Sequence, residues 1–163
     1  MDRMTHKYSQ EDIKIALFEP DIPQNTGAII RTCACLGVKI EIIGPCGFLL
    51  TDKRFKRVVM DYLNQEDIKF YQSIDDFFKE KDSQRIILMT TKASISYYSF
   101  KFKKGDTILF GRESAGVPEK IHAHINKKLK IPMIDNKRSL NIATSVAIIL
   151  AENLRQNNFF NNV

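Results

Sequence analysis

The chain has 163 residues, 44% of them hydrophobic and 27% charged, a balance that suits one globular domain spanning residues 1–163. No apolar run approaches the roughly 20 residues that a membrane-crossing helix needs, and the polar stretch Met1–Asp12 lacks the apolar centre of a secretory leader, so neither is expected and the cytoplasm is the expected location. A net charge of +6 favours a polyanionic partner, and an odd count of three cysteines argues against a disulfide framework.

Residues 1–12 read as a loosely held tail. Ile13–Phe18 reads as a strand, and the loop Glu19–Pro23 follows, with prolines that exclude helix. Asn25 or Thr26 can cap a helix running to about Leu36, with Gly37 as its stop. Val38–Ile43 is a second strand, ended by Gly44-Pro45. Thr51 can cap a basic helix through Lys53, Arg54, Lys56 and Arg57 to about Leu63. Ser73 with Asp76 resembles a capping box for a helix over Ile74–Lys81. Arg85–Thr91 is a third strand, and Ser94–Phe102 reads as a loop with a short strand. Thr107–Phe110 and Leu129–Ile134 are two more strands, with Pro118 in a helix first turn between them. Ser139 is a suitable N-cap for a long helix from about Leu140 to Gln156, and residues 157–163 read as a frayed end. Strands alternating with helices predict a parallel α/β sheet. The long helix is apolar on most sides, so it either lies within the sheet packing or meets a partner subunit; the shortness of the chain favours the partner.

The chemistry concentrates where two strands end. The loop after Phe110 carries Gly111, Glu113 and Gly116, and the loop Asp135–Ser139 carries Lys137, Arg138 and Ser139. Ligands of open α/β sheets bind at that sheet edge. Neither GxGxxG nor GxxxxGK[ST] occurs. Cys33, Cys35 and Cys46 lack zinc spacing and read as reduced, buried thiols, and His6, His122 and His124 form no ligand set, so no metal is expected. The clusters Lys53-Arg54 with Lys56-Arg57, Lys101 with Lys103-Lys104, and Lys127-Lys128 with Lys130 read individually as solvated surface, whereas Lys137-Arg138 adjoins the Ser139 loop.

Three motifs in order carry a family resemblance. "NTGAIIR" (residues 25–31), "ILFGRESAGVP" (residues 108–118) and "IPMIDNKRSLNIATSVAIILAE" (residues 131–152) resemble the motifs of the SpoU-type SPOUT RNA ribose 2'-O-methyltransferases. "FEPDIPQNTGAIIRTCACLG", "DKRFKRVVMDYL" and "TTK" further resemble the small branch that methylates the wobble ribose of tRNA. The resemblance covers about Ile13 to Arg155; Val117 stands where leucine is usual, and the segment between Pro118 and Lys130 is slightly short.

The resemblance implies a single-domain parallel-sheet α/β fold with a C-terminal trefoil knot, homodimers, and S-adenosylmethionine-dependent methylation of a ribose 2'-hydroxyl, at cytidine or uridine 34 of tRNA. Ribosomal RNA, another tRNA position and catalytically silent RNA binding are the alternatives. It further implies that Met89, Thr90, Gly111, Ile131, Ser139 and Leu140 line the cofactor pocket. Arg31, Asn25, Glu113, Ser139 and Asn141 would make the catalytic set, with Arg31 as base or as a group that orients the hydroxyl and binds phosphate. Lys53, Arg54, Arg57 and Arg138 are the candidate RNA contacts.

Overall fold

The computed structural model describes residues 13–46, 48, 52–62, 67–81 and 85–159. The expected tail 1–12, the Thr51 cap and residues 160–163 of the expected frayed end lie outside these. Six parallel strands form one sheet in the order β3-β2-β1-β5-β4-β6: β1 (Lys14–Phe18), β2 (Lys39–Ile43), β3 (Ile68–Tyr71), β4 (Ile86–Met89), β5 (Thr107–Phe110) and β6 (Lys127–Leu129). In register, Leu17 lies beside Ile42 on one side and Phe110 on the other.

Helices cover both faces, which is why β1, β2 and β5 are buried along their whole length; β1 and β5 are mainly apolar, whereas β2 also buries Lys39 and Glu41. Alternate residues of each strand point to opposite faces. Ile15, Leu17, Ile40, Ile108 and Phe110 join a core with Ile29, Ile30 and Cys33 of α1 (Pro23–Cys35) and with Val146, Ile149 and Leu150 of α5 (Ile142–Gln156). Ala16, Phe18, Ile43 and Leu109 face the other way, onto Phe77 of α3 (Ile74–Glu80) and Ile121 of α4 (Glu119–His124). The remaining helix, α2 (Lys53–Tyr62), packs beside α1 and buries Phe55.

Several element ends differ from the sequence reading, each for a local reason. Helix α1 begins at Pro23, not after Asn25: a proline is tolerated at the first helical position, where its missing N–H is not needed. Ile22 is the N-cap residue, so the Asn25 side chain is not engaged in capping. The amides of Arg54 and Phe55 are taken by the Asp52 carboxylate, at 2.8 and 3.0 Å. The capping residue of α5 is Asn141, not Ser139; its side-chain oxygen accepts from the amides of Ala143 and Thr144. Strand β6 lies earlier than Leu129–Ile134, because Pro132 has no N–H for a ladder and Lys130 instead pairs with Ile95 and Tyr97. The 94–102 segment holds a 3₁₀ turn at Tyr97–Ser99 and a single bridge, Ser96 to Lys130, rather than a strand. The edge strand β3 escaped the sequence reading, being four residues long with Phe70 left exposed. The last helix is not buried all round: Val146, Ile149, Leu150 and Leu154 face the core, while Thr144, Ala147 and Ala151 are exposed.

Candidate active site

Because all six strands run the same way, the loops that follow them emerge at one edge of the sheet. Those after β4, β5 and β6, with the start of α1, enclose a cavity of about 600 Å³. Its walls come from Met89 and Thr90 after β4, from the turn Gly111–Val117, from Ile131 and Met133 after β6, and from Arg138–Ile142 leading into α5.

The β5 turn is unusually tight. A Cβ on Gly111 would lie 2.5 Å from the Gly116 carbonyl carbon and 2.9 Å from the Val117 nitrogen, closer than any side chain allows. The turn is closed by Arg112 N–H to Gly116 O at 3.1 Å and by Gly116 N–H to Arg112 O at 2.8 Å, and Gly116 has a φ of +65°. Two glycines therefore allow the chain to double back and present Glu113 at the cavity.

Glu113 is tied to the start of α1. The Asp21 amide donates to its Oε2 at 3.0 Å, and the Asn25 side-chain amide donates to its Oε1 at 3.4 Å. Asn141 in turn donates through Nδ2 to Asn25 Oδ1 at 3.0 Å. Two loops and the first turn of α1, far apart in sequence, are thus bridged by Glu113, Asn141 and Asn25. Behind them, Asp21 receives the Ser114 hydroxyl, and Arg112 reaches Glu19 at 3.4 Å and Asp21 at 3.7 Å.

Burial raises the Glu113 carboxyl above its ordinary 4.5, with the adjoining Asp21 carboxyl adding to the effect. Asp21 moves down from 3.8: its hydrogen bond with Glu113 outweighs burial, and Ser114 and Arg112 reinforce it. Of the two adjoining carboxyls, the proton is thus favoured on Glu113. Burial pushes the Cys33 and Cys46 thiols up to about 12, which leaves both unreactive, whereas Cys35 is exposed, contrary to the reading of three buried thiols.

The predicted site residues divide. Asn25, Glu113, Ser139 and Asn141 line one cavity, as do Met89, Thr90, Gly111, Ile131, Leu140 and Arg138. Arg31 does not: it lies on the exposed side of α1, with its guanidinium carbon 5.2 Å from the centre of the Tyr62 ring. Six residues of helix leave it about 120° around the axis from Asn25, so one helix face does not hold both. Lys53, Arg54 and Arg57 are exposed on α2 and take no part in the cavity. The sequence reading missed Asp21, Arg112 and Ser114, which brace Glu113. Their signal was charge complementarity between two loops expected at one sheet edge, acidic Glu19 and Asp21 against Arg112. It also missed His122, which lines the cavity with Nε2 buried and without a hydrogen-bond partner among the described residues.

Comparison with known proteins places this geometry. The profile of the SpoU rRNA Methylase family matches residues 12–151. A protein of Beijerinckia indica, tRNA (cytidine(34)-2'-O)-methyltransferase, is 46% identical over 144 residues, covering 87% of this chain and 90% of that protein. A solved structure described as giving insights into the 2-OH methylation of C/U34 on tRNA superimposes with a TM-score of 0.83 at 36% identity, covering 91% of this chain and 97% of the other. The SpoU methyltransferase AviRb of Streptomyces viridochromogenes, solved with the cofactor AdoMet, shares the fold at a TM-score of 0.80 and 21% identity, covering 96% of this chain and 64% of its own.

Proposed function

The chain belongs to the SpoU rRNA Methylase family, and from that membership we propose that it methylates the 2'-hydroxyl of ribose 34 in the anticodon of a tRNA, with S-adenosylmethionine as donor. The observation that carries this is the bridge Asn141–Asn25–Glu113 at the rim of the 600 Å³ cavity, in a chain 46% identical to a tRNA (cytidine(34)-2'-O)-methyltransferase.

The residues present fit the donor. The volume suits a ligand of nucleoside size. Met89, Ile131 and Leu140 offer apolar walls for a base, and Thr90, Ser139 and the backbone beside Gly111 offer polar contacts. The unpaired His122 Nε2 offers one more. When bound, S-adenosylmethionine supplies a methyl group already activated on a sulfonium.

The chain must then hold and deprotonate a ribose hydroxyl in line with that methyl. Holding two reactants in attack geometry contributes roughly 7–11 kcal/mol. Asn25, Ser139 and Asn141 are the groups that position the hydroxyl. Glu113 is the carboxyl among the cavity's lining residues, and burial, by raising its affinity for a proton, suits it to accept one from the hydroxyl. Arg31, permanently charged and outside the cavity of its own subunit, acts by binding RNA phosphate rather than as a base. Lys53, Arg54, Arg57 and Arg138 add phosphate contacts that position the RNA.

The enzyme works as a homodimer in the cytoplasm. Its subunits meet through the outer faces of α1 and α5, where Ala28, Thr144, Ala147 and Ala151 leave a surface of small side chains. The segment from Ile131 to Leu140, which follows residues paired with 95–97, is the part that would complete a trefoil knot.

The test is methyl transfer from tritiated S-adenosylmethionine to separated tRNA and ribosomal RNA, followed by mapping of the labelled ribose. Label at nucleotide 34 of tRNA is expected. Label confined to ribosomal RNA would overturn the assignment.

A further inference from the structure

Beside the cavity, sharing Ile131 and Arg138 with its wall, lies a second basic surface, apart from helix α2. Residues 92–104 carry four lysines and no acid, and residues 127–138 carry five basic residues and one acid, Asp135. The fold laces these two segments together: Lys130 N–H donates to Ile95 O at 2.9 Å, and Tyr97 N–H donates to Lys130 O at 2.9 Å. Among the described residues, the one ion pair made by any of these cations is Lys92 with Glu119, at 3.8 Å between two exposed side chains. A pair that open to water neutralises little.

Apolar side chains stand within this basic field. Tyr98 is 65% exposed, Ile95 51% and Ile134 76%. Tyr97, by contrast, packs on the core and meets the Tyr98 ring edge-on, with ring centres 5.9 Å apart. The exposed ring is therefore carried on a 3₁₀ turn anchored from below, so little freedom is left to lose when something stacks on it. The surface is continuous with the cavity, whose walls include Lys92, Ile131, Met133 and Arg138.

We propose, resting on the tRNA reading above, that the 92–104 and 130–138 segments form a stacking ledge for an unpaired anticodon-loop nucleotide beside the target, with Tyr98 as the platform and the flanking lysines and Arg138 as phosphate contacts. Aromatic rings within a basic groove are how proteins hold single-stranded nucleic acid, since every base offers a face to stack. A second copy of this chain is the weaker occupant. A symmetric dimer puts the same patch against itself, and here that would bring like charges together in a chain of net charge +6.

The ledge is tested by binding rather than turnover, so its failure is separable from failure of the nucleotide-34 assignment. Fluorescence anisotropy compares a labelled anticodon stem-loop with a blunt RNA duplex of equal length, for the parent protein, Tyr98→Ala and Tyr98→Phe. Loss of one base stack predicts that Tyr98→Ala weakens stem-loop binding by roughly 5- to 150-fold. Duplex binding and S-adenosylmethionine affinity should be unchanged, and Tyr98→Phe, which keeps the ring, should restore stem-loop binding. Stem-loop affinity that survives Tyr98→Ala would overturn the ledge, and so would equal losses on both RNAs. A shift of Tyr98→Ala to a lighter sedimenting species would reassign the surface to contact between copies. If methyl mapping points away from nucleotide 34 while the Tyr98 dependence on loop RNA persists, the ledge stands and the wobble assignment falls.

Discussion

Glu113 is held on both oxygens, by the Asp21 amide and the Asn25 carboxamide, in surroundings that raise its carboxyl above 4.5. A carboxyl raised in the folded state contributes stability below its unfolded value and loses it as pH rises through the folded value. Asp21, lowered from 3.8, has the opposite dependence: its contribution is present above that value and is lost as pH falls through the folded one. Glu113→Gln cannot ionise, so its thermal midpoint should rise relative to the parent as pH climbs above the ordinary carboxyl value of 4.5, while methyl transfer falls by roughly 10²–10⁴-fold. Unfolding scans across that range, with single-turnover assays alongside, check both halves. Arg31→Ala separates another pair of roles. Because Arg31 lies outside the cavity, S-adenosylmethionine titration should be unchanged while tRNA turnover drops more than about tenfold through lost phosphate contact. Lysine at position 31 should restore part of that turnover. At this scale the convergence of Asn25, Glu113, Ser139 and Asn141 on one cavity was legible from the resemblance of their three motifs; which of them touch was not. The bond from Asn141 to Asn25 spans 116 residues and depends on where α5 begins.

The strands buried on both faces, β1, β2 and β5, were legible almost to the residue, since each is a short run rich in isoleucine, leucine and phenylalanine bounded by glycine or proline. The start of α3 was legible too, since Ser73 caps it as read; the starts of α1 and α5 were not, because the capping group is chosen by what the neighbouring loop leaves available: Asn141 for α5 and a proline for α1. Helix α2 carries the element-scale prediction. Lys53, Arg54, Lys56 and Arg57 are all exposed on it, and Phe55 is its buried anchor. Arg54→Glu with Arg57→Glu should weaken tRNA binding without altering donor affinity. The slope of log affinity against log salt should shrink by roughly 1.4–1.8 if both contact phosphates. An unchanged slope would remove α2 from the RNA surface.

For the whole molecule, the parallel α/β class followed from alternating elements, but the strand order β3-β2-β1-β5-β4-β6 did not, because neighbours in the sheet need not be neighbours in sequence. That order brings β1, β5 and β4 side by side and so assembles the cavity. Assembly of two chains is the prediction here. The outer side of α5 displays Thr144, Ala147 and Ala151, small enough for close helix approach, with Ile22 and Leu140 about 40% exposed nearby on the cavity rim. Sedimentation should give twice 18.8 kDa. Ala147→Glu, which places a charge on that face, should halve the mass while leaving the fold intact by circular dichroism. A parent protein that sediments as a monomer and still methylates tRNA would defeat the dimer.

The bridge from Asn141 to Glu113 has a direction. Helix amides can only donate, so Ala143 and Thr144 oblige Asn141 to turn its oxygen toward α5 and its nitrogen toward Asn25. Asn25 must then offer oxygen to Asn141 and nitrogen to Glu113. Each carboxamide is polarised by the link before it, and flipping either one sets donor against donor or acceptor against acceptor. Aspartate could cap α5 as well as asparagine does, yet at position 141 it would turn a lone pair toward a lone pair. The N-terminus of one helix thereby dictates, two side chains away, that the carboxylate at the cavity rim meets a proton donor.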